Sequence, residues 1–494
     1  MKTCLLLLPN TLFTNIKHNE IDKIDFILFE HPKFFIKYKY HKLKLVFHRS
    51  TMKAYYNDYL EKKYNNVKYI NFNQALKLDK YDKIIMYDPV DFEILQDIHD
   101  YCKKNNKILT LLDTNLFILT NQDMKDYIKD VNKPYLNSTF YKWVRVKKNI
   151  LMNKDKPVGG KWSFDTENRK PFPSDHKESP LKIKSNEYTI EAQKYIDKYF
   201  SDNHGEYEIY YPTTHQDAKK WLNTFLKNRL ENFGEFEDAI SSNPNHVFSY
   251  HSCISALLNI GLLNPNDVIK KALTYKKNVP ISSLEGFIRQ IISWREYVRM
   301  LYVYEHKTFN KLNVLNHNNK LNKIWYTGQT GIVPVDNVIK KVLKYSYCHH
   351  IERLMILGNF MLLMMISPKE IYKWFIELVS IDAYEWVMEP NIYGMSQHSV
   401  GTLMMTRPYF SSSNYIFKMS DYKKSDDYDK IKLKNKYYEW YEVWDALYYN
   451  FLNEHKKYLK KIYSTAFMVK ILENKSTSEK NKLFDIAREY LKKY

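Results

Sequence analysis

Cys348, His349 and His350 stand side by side in "YSYCHHIERLMILGNF", a stretch whose apolar spacing reads as a helix. Thiol and imidazole bind metals and carry protons, so geometry is the first question. Consecutive helical residues point about 100° apart, and only those three or four apart share a face. The three side chains therefore cannot converge on one ion. Their face-sharing partners are Glu352 for Cys348, Arg353 for His349 and Leu354 for His350. Taken alone, a satisfied core histidine is the ordinary reading of either imidazole.

Two other stretches place polar residues in apolar surroundings. In "FSYHSCISALLNIGLL", Ser252 and Ser255 lie three apart, where hydroxyls and helix N-terminal amides can hold a phosphate. Ordinary N-capping accounts for the same serines equally well. In "FIRQIISWREYVR", Gln290 and Trp294 lie on one helical face suited to an aromatic ligand, while Arg289, Arg295 and Glu296 read equally as a solvated face.

These residues need a scaffold. Toward the N-terminus, short apolar runs ("CLLLL", "DFILFE", "VKYINF", "KIIMY", "KILTLLD") alternate with helical patterns, which predicts a parallel α/β sheet. "MKTCLLLLPN" is too short in its apolar run for a signal peptide and reads as the first buried strand. No Gly-x-Gly-x-x-Gly follows any strand, so the sheet lacks the dinucleotide fingerprint. From Asn137 to Asn186 the pattern breaks into a charged stretch with Pro and Gly, read as a linker. After Thr189 helical periodicity dominates. The expected division is an α/β domain over 1–135, a connector over 136–215 and a helical domain over 216–494.

A chain of 494 residues with 44% hydrophobic content can bury more than one core. A net charge of +20 with 16% aromatic residues suits a protein that grips phosphates and stacks on bases, although an AT-rich coding sequence would leave the same mark. The four cysteines are far apart, which argues against a disulfide framework and a zinc site and for a reducing, intracellular compartment: cytoplasm, nucleus or virion. No apolar run approaches the roughly 18 residues of a membrane span.

Taken together, "GKWSFDTENRKP", "FGEFEDA", "HSCISALLNIGLL", "FIRQIISWREYVR", "CHHIERLMILGNF", "DAYEWV", "NIYGMSQ" and "SSSNYIFKMSDY" resemble, in order and spacing, the photolyase and cryptochrome superfamily. The chain is most similar in kind to the bacterial iron-sulfur branch that repairs (6-4) photoproducts, and the resemblance runs to about His455. It implies a Rossmann-like α/β antenna domain, a connector and an all-helical domain holding FAD. Ser252, Ser255, Gln290, Trp294 and Asn391 would line the flavin pocket, with Arg353 and Asp382 as the ion pair over its ring system. His350 falls where (6-4) photolyases carry a lesion-facing histidine, Cys348 where packing is expected. Leu354, Met395, Tyr409 and Tyr415 would meet the flipped lesion. Trp374 and Tyr384 would serve electron transfer, with Phe375 and Tyr326 replacing redox-active residues. Glu30, His41 and Lys42 would hold a ribityllumazine antenna.

The branch binds a four-iron cluster through four cysteines, and this chain carries Pro334, Lys423, Asp426 and Glu442 in their place, so no cluster and no metal is expected. The resemblance therefore implies a monomeric, light-driven DNA lyase acting on UV-damaged DNA and independent of membranes. The alternative is a cryptochrome-like photoreceptor that binds FAD without repairing DNA.

Overall fold

The computed structural model describes residues 1–16, 21–173, 175–176 and 183–494. Five strands, β1 (Thr3–Leu7), β2 (Asp25–Phe29), β3 (Val67–Ile70), β4 (Lys83–Tyr87) and β5 (Ile108–Leu112), form one parallel sheet in the order β3-β2-β1-β4-β5. β1 is central, with Cys4 opposite both Asp25 of β2 and Ile84 of β4. β1, β2 and β4 are buried almost throughout, as expected of parallel strands covered on both faces; the edges β3 and β5 are partly exposed. The apolar run "CLLLL" is thus a strand.

The predicted linker is largely structured. Asn137–Lys148 is a helix, and Met152–Asn153 pairs antiparallel with Lys156–Pro157. Arg145, fully buried, pins the segment by donating to the carbonyls of Ile150, Leu151 and Trp162. Gly and Pro marked turns correctly, but nothing local in the sequence revealed that an arginine would bury itself to hold them. Residues 174 and 177–182 of this stretch lie outside the described residues. The connector's helix, Glu187–Phe200, packs along the Lys42–Tyr55 helix beside the sheet, and Glu191 takes a two-pronged grip from Arg49.

The remainder is mainly helical, with one short antiparallel pair, Ile431–Leu433 against Lys436–Tyr438. Three of its helices contain π-helical turns, at Gln290–Arg295, Glu352–Gly358 and Pro390–Ser396. Such widened turns insert one residue into the helical repeat and recur at functional sites. Gly358 is required where two of them meet: a Cβ there would collide with the Ser396 hydroxyl and lie 2.8 Å from the Arg353 carbonyl oxygen. No helix among the described residues is long and apolar enough to cross a membrane.

Candidate functional site

Inside the helical part lies a cavity of about 320 Å³. All three π-helical turns supply its wall: Gln290, Ile291, Trp294 and Arg295 from the first, Arg353 and Leu354 from the second, Asn391, Ile392, Met395 and Ser396 from the third. Ser252, Ser255, His350 and Asp382 complete the sequence-derived set present there. A mostly apolar hollow with a few converging polar groups is the usual form of a small-molecule site.

The polar floor is one connected network. Arg353 reaches Asp382 with both terminal nitrogens, Nη1 to Oδ1 at 3.0 Å and Nη2 to Oδ2 at 3.2 Å. Ser255 Oγ donates to Asp382 Oδ2 at 2.6 Å, and Asn259 Nδ2 donates to the Asp382 carbonyl at 2.9 Å. Arg353 Nε is spent on the Cys348 carbonyl at 2.7 Å. This corrects both readings of Ser255: the short Ser255–Asn259 helix is capped by Ile254 without a side-chain bond, so the serine neither caps it nor offers its hydroxyl to a phosphate. Ser252 faces the cavity, and its carbonyl accepts from Trp221 Nε1 at 2.8 Å.

Around the histidines the helix starts later than expected. Ser346 takes φ +53° and ends the Val333–Tyr345 helix, Cys348 and His349 lie in the turn that follows, and the next helix begins at His350. Cys348 and His349 are buried, whereas His350 is exposed to the open space of the cavity. Enclosure by the surrounding protein, and secondarily the Arg353 guanidinium, pushes the His350 imidazolium down to about 4, so the ring is neutral at pH 7. Burial drives the Cys348 thiol far up, which makes it a packing group rather than a nucleophile. Behind the site, Lys341 and Glu352 form a buried pair at 2.8 Å. Glu352 also accepts from the His349 amide at 3.2 Å, and the His349 ring stacks on His251, centroids 4.8 Å apart and 15° from parallel.

Several expected site residues stand elsewhere. Trp374 is fully buried off the wall and donates Nε1 to the Trp325 carbonyl at 2.8 Å; Phe375, 5.2 Å from it between ring centroids, lines the cavity instead. Residue-by-residue carry-over could not tell which of two adjacent rings turns inward. Tyr326 stacks on His204 at 5.2 Å, remote from the wall residues. Tyr384 is also off the wall, its hydroxyl 3.4 Å from His48 Nε2. Lys44, buried beside it, donates to the Ala383 carbonyl at 2.5 Å and lies 4.4 Å from the Tyr384 ring centre. Burial lowers that ammonium to about 7. Tyr409 and Tyr415 are half-buried and absent from the wall, although Tyr415 feels the charge of Asp238, a wall residue.

The antenna residues are committed to the fold. Glu30, fully buried, accepts from Arg49 Nη1 (2.8 Å), Tyr69 (2.6 Å), Tyr195 (3.0 Å) and the Phe72 amide (3.0 Å), which saturates the carboxylate. His41 caps the Lys42–Tyr55 helix through Nδ1 and bonds the Leu343 carbonyl through Nε2 at 2.9 Å. Lys42 lies 6.0 Å from the Tyr207 ring centre. None of the three lines the cavity described above.

At the positions expected of cluster ligands, Pro334 begins a helix, Asp426 accepts from the Lys423 amide, and Glu442 belongs to the capping box of the Trp440–Glu454 helix. Trp440 packs there against Phe417, Tyr422, Tyr428 and Tyr441.

Arg289, Arg295 and Glu296, equally readable from sequence as a solvated face, are instead turned inward: Arg289 and Glu296 are buried, Glu296 accepting from the Ile118 and Leu119 amides, and Arg295 lines the cavity. Arg295 donates to the carbonyl of Leu116 and to Asn259 Oδ1, its Nε has no partner, and burial lowers its guanidinium to about 9. Glu237 and Asp238, from "FGEFEDA", are raised to about 8 and about 6, chiefly by burial. Arg289 is the cation shared by Glu237, Glu285 and Asp165. The crowding of acids in "FGEFEDA" was a visible signal that drew no reading.

Residues 5–210 match the family model described as deoxyribodipyrimidine photo-lyase-related protein. A (6-4) photolyase of Agrobacterium fabrum is 38% identical over 327 residues, 65% of this chain and 63% of that protein. The chain thus spans somewhat under two thirds of that relative's length. Among solved structures, a cryptochrome of Synechocystis sp. PCC6803 superposes with a TM-score of 0.59 at 14% identity, covering 98% of this chain and 94% of the other. An archaeal photolyase from Sulfolobus tokodaii, solved with two FAD molecules, gives 0.53 at 14% identity over 82% of this chain and 85% of the other. With its parallel N-terminal sheet and helical cavity-bearing part, the chain has the fold of the photolyase and cryptochrome structures, and over residues 5–210 it matches the deoxyribodipyrimidine photolyase-related family model.

Proposed function

We propose that the protein is a light-dependent DNA photolyase acting on (6-4) photoproducts with reduced FAD. The carrying observation is that His350 opens into the same cavity whose floor is the Arg353–Asp382–Ser255 network. Similarity to a (6-4) photolyase and to a photolyase solved with FAD supports it.

The residues fit the cofactor. Trp294, Phe375 and Trp386 offer flat apolar walls, Gln290 and Asn391 offer amides, and the unpartnered Nε of Arg295 is a buried cationic donor suited to a diphosphate. Bound there, reduced FAD would supply an electron on illumination. Arg353 grips the Asp382 side chain with two nitrogens, Ser255 adds a third bond to it, and Asn259 holds the Asp382 main-chain carbonyl, so the group is fixed in orientation. The lesion's flipped base would enter the open space that exposes His350, at a cost of a few kcal/mol that damage reduces. His350 is neutral at rest, so it would first take up a proton from solvent, which its exposure to the cavity allows, and hand it to the lesion as negative charge develops there, returning to neutral imidazole.

The test is blue-light repair of oligonucleotides carrying a (6-4) photoproduct or a cyclobutane dimer by the FAD-loaded, chemically reduced protein. Repair of the (6-4) lesion supports the assignment. A protein that binds FAD and repairs neither lesion is a photoreceptor.

A further inference from the structure

Tyr463, Phe467 and Ile471 are four residues apart on the Tyr463–Glu473 helix and are 97%, 69% and 40% exposed. That spacing aligns them in one stripe about 12 Å long, opposite the face through which Thr465, Val469 and Leu472 enter the core. Isolated exposed apolar residues are ordinary, but an aligned stripe with two open aromatic rings marks a contact surface.

Charge identifies the partner. Lys456, Lys457, Lys460 and Lys461 are all exposed immediately before this helix, and Lys470 is exposed on it. Lys460 pairs with Glu473 at 2.6 Å, which brings the basic segment against the C-terminal end of the same helix. A second copy of the chain would set lysines against lysines. Duplex DNA would satisfy the lysines and leave the rings unused. An unpaired strand satisfies both, because its phosphates meet ammonium groups while its bases stack on aromatic faces.

We propose that this surface is a single-stranded nucleic-acid platform, with bases stacking on Tyr463 and Phe467, Ile471 contacting a sugar or base edge, and Lys456, Lys457, Lys460, Lys461 and Lys470 holding the backbone. It is separate from the cavity and does not depend on the flavin assignment.

The experiment is fluorescence anisotropy of labelled dT16 with the full chain, comparing wild type, Tyr463→Ala/Phe467→Ala and Lys456→Ala/Lys457→Ala/Lys460→Ala/Lys461→Ala, each checked for native circular dichroism. The aromatic double variant is expected to weaken binding at least about tenfold. The lysine variant is expected to flatten the salt dependence, by about 0.7 in log–log slope per lost contact. Because dT16 can also enter the cavity face, bromodeoxyuridine-substituted strand is cross-linked and mapped, and the label should fall on the Tyr463–Glu473 peptide. Wild-type affinity in the aromatic variant, or cross-links confined to other peptides, overturns the proposal. So does loss in that variant of binding to 30% phosphatidylserine vesicles with dT16 affinity unchanged, which would make the stripe a lipid contact.

Discussion

Arg353 and Asp382 meet through two parallel contacts, 3.0 and 3.2 Å, on the floor of the cavity. Both are largely shielded from water, with 18% and 8% of their side chains exposed. Planar, two-pronged pairing of this type fixes orientation as well as charge. Stranding one partner of such a pair is costlier than never having built it.

Arg353→Ala is therefore expected to lose FAD during purification and to destabilise the fold by about 3–5 kcal/mol, since Asp382 keeps its buried charge without a cation. Arg353→Lys should recover part of the stability but only part of the flavin retention. Absorbance at flavin wavelengths and thermal melts check both; full stoichiometry in the Ala variant would remove the pair from the site.

His350→Asn should retain FAD and damaged DNA, because the amide still hydrogen-bonds in a similar volume, yet cannot carry the proton. Photorepair of (6-4) lesions is expected to fall roughly 10²- to 10⁴-fold. Repair at the wild-type rate would exclude His350 from the chemistry.

Acidification should destabilise the protein between pH 6.5 and about 4. His41, His317 and His398 are all but inaccessible to solvent and are depressed by burial to about 4, about 3 and about 4. In this window the unfolded chain binds their protons and the folded chain does not, so stability rises with pH and falls as pH drops from 6.5. By pH 5 each would contribute a loss on the order of 1–2 kcal/mol. Glu237 and Asp238, raised to about 8 and about 6, act in the opposite direction but are outnumbered. Chemical denaturation at pH 7 and pH 5 measures the difference; equal midpoints would contradict the burial of these rings.

Lys341→Met should cost about 3–5 kcal/mol by stranding Glu352, and Lys341→Met/Glu352→Leu should regain most of it. If the double variant is no more stable than the single, Glu352 matters chiefly through its bond to the His349 amide.

Much of this architecture was legible in the sequence. Short apolar runs alternating with helical patterns located all five strands, the buried β1, β2 and β4 most plainly, because the length of the runs and their alternation with longer amphipathic segments separate strand from helix. Motif order located Arg353, Asp382, Gln290 and Trp294 in one cavity. What escaped were facts decided by neighbours distant in sequence. Glu30 looked available until Arg49, Tyr69, Tyr195 and the Phe72 amide closed around it. Trp374 and Phe375 could not be ranked by position alone. Ser346 ended a helix that periodicity carried through, because its φ of +53° is set by the tertiary fit and not by a glycine signal.

The three π-helical turns also bear on how such a cavity could change over generations. Each holds one residue more than an α-helix needs, so deleting a single residue within it would relax the turn to α-helix and shift the side chains inside the turn, while those beyond it keep their register. Gln290 and Trp294, or Asn391 and Met395, would then no longer present the same faces to one another. Substitution can retune individual contacts here, but which residues face the cavity within each turn is set by how many residues the turn holds, so short insertions and deletions inside these turns are the lineage events to which the wall is most sensitive.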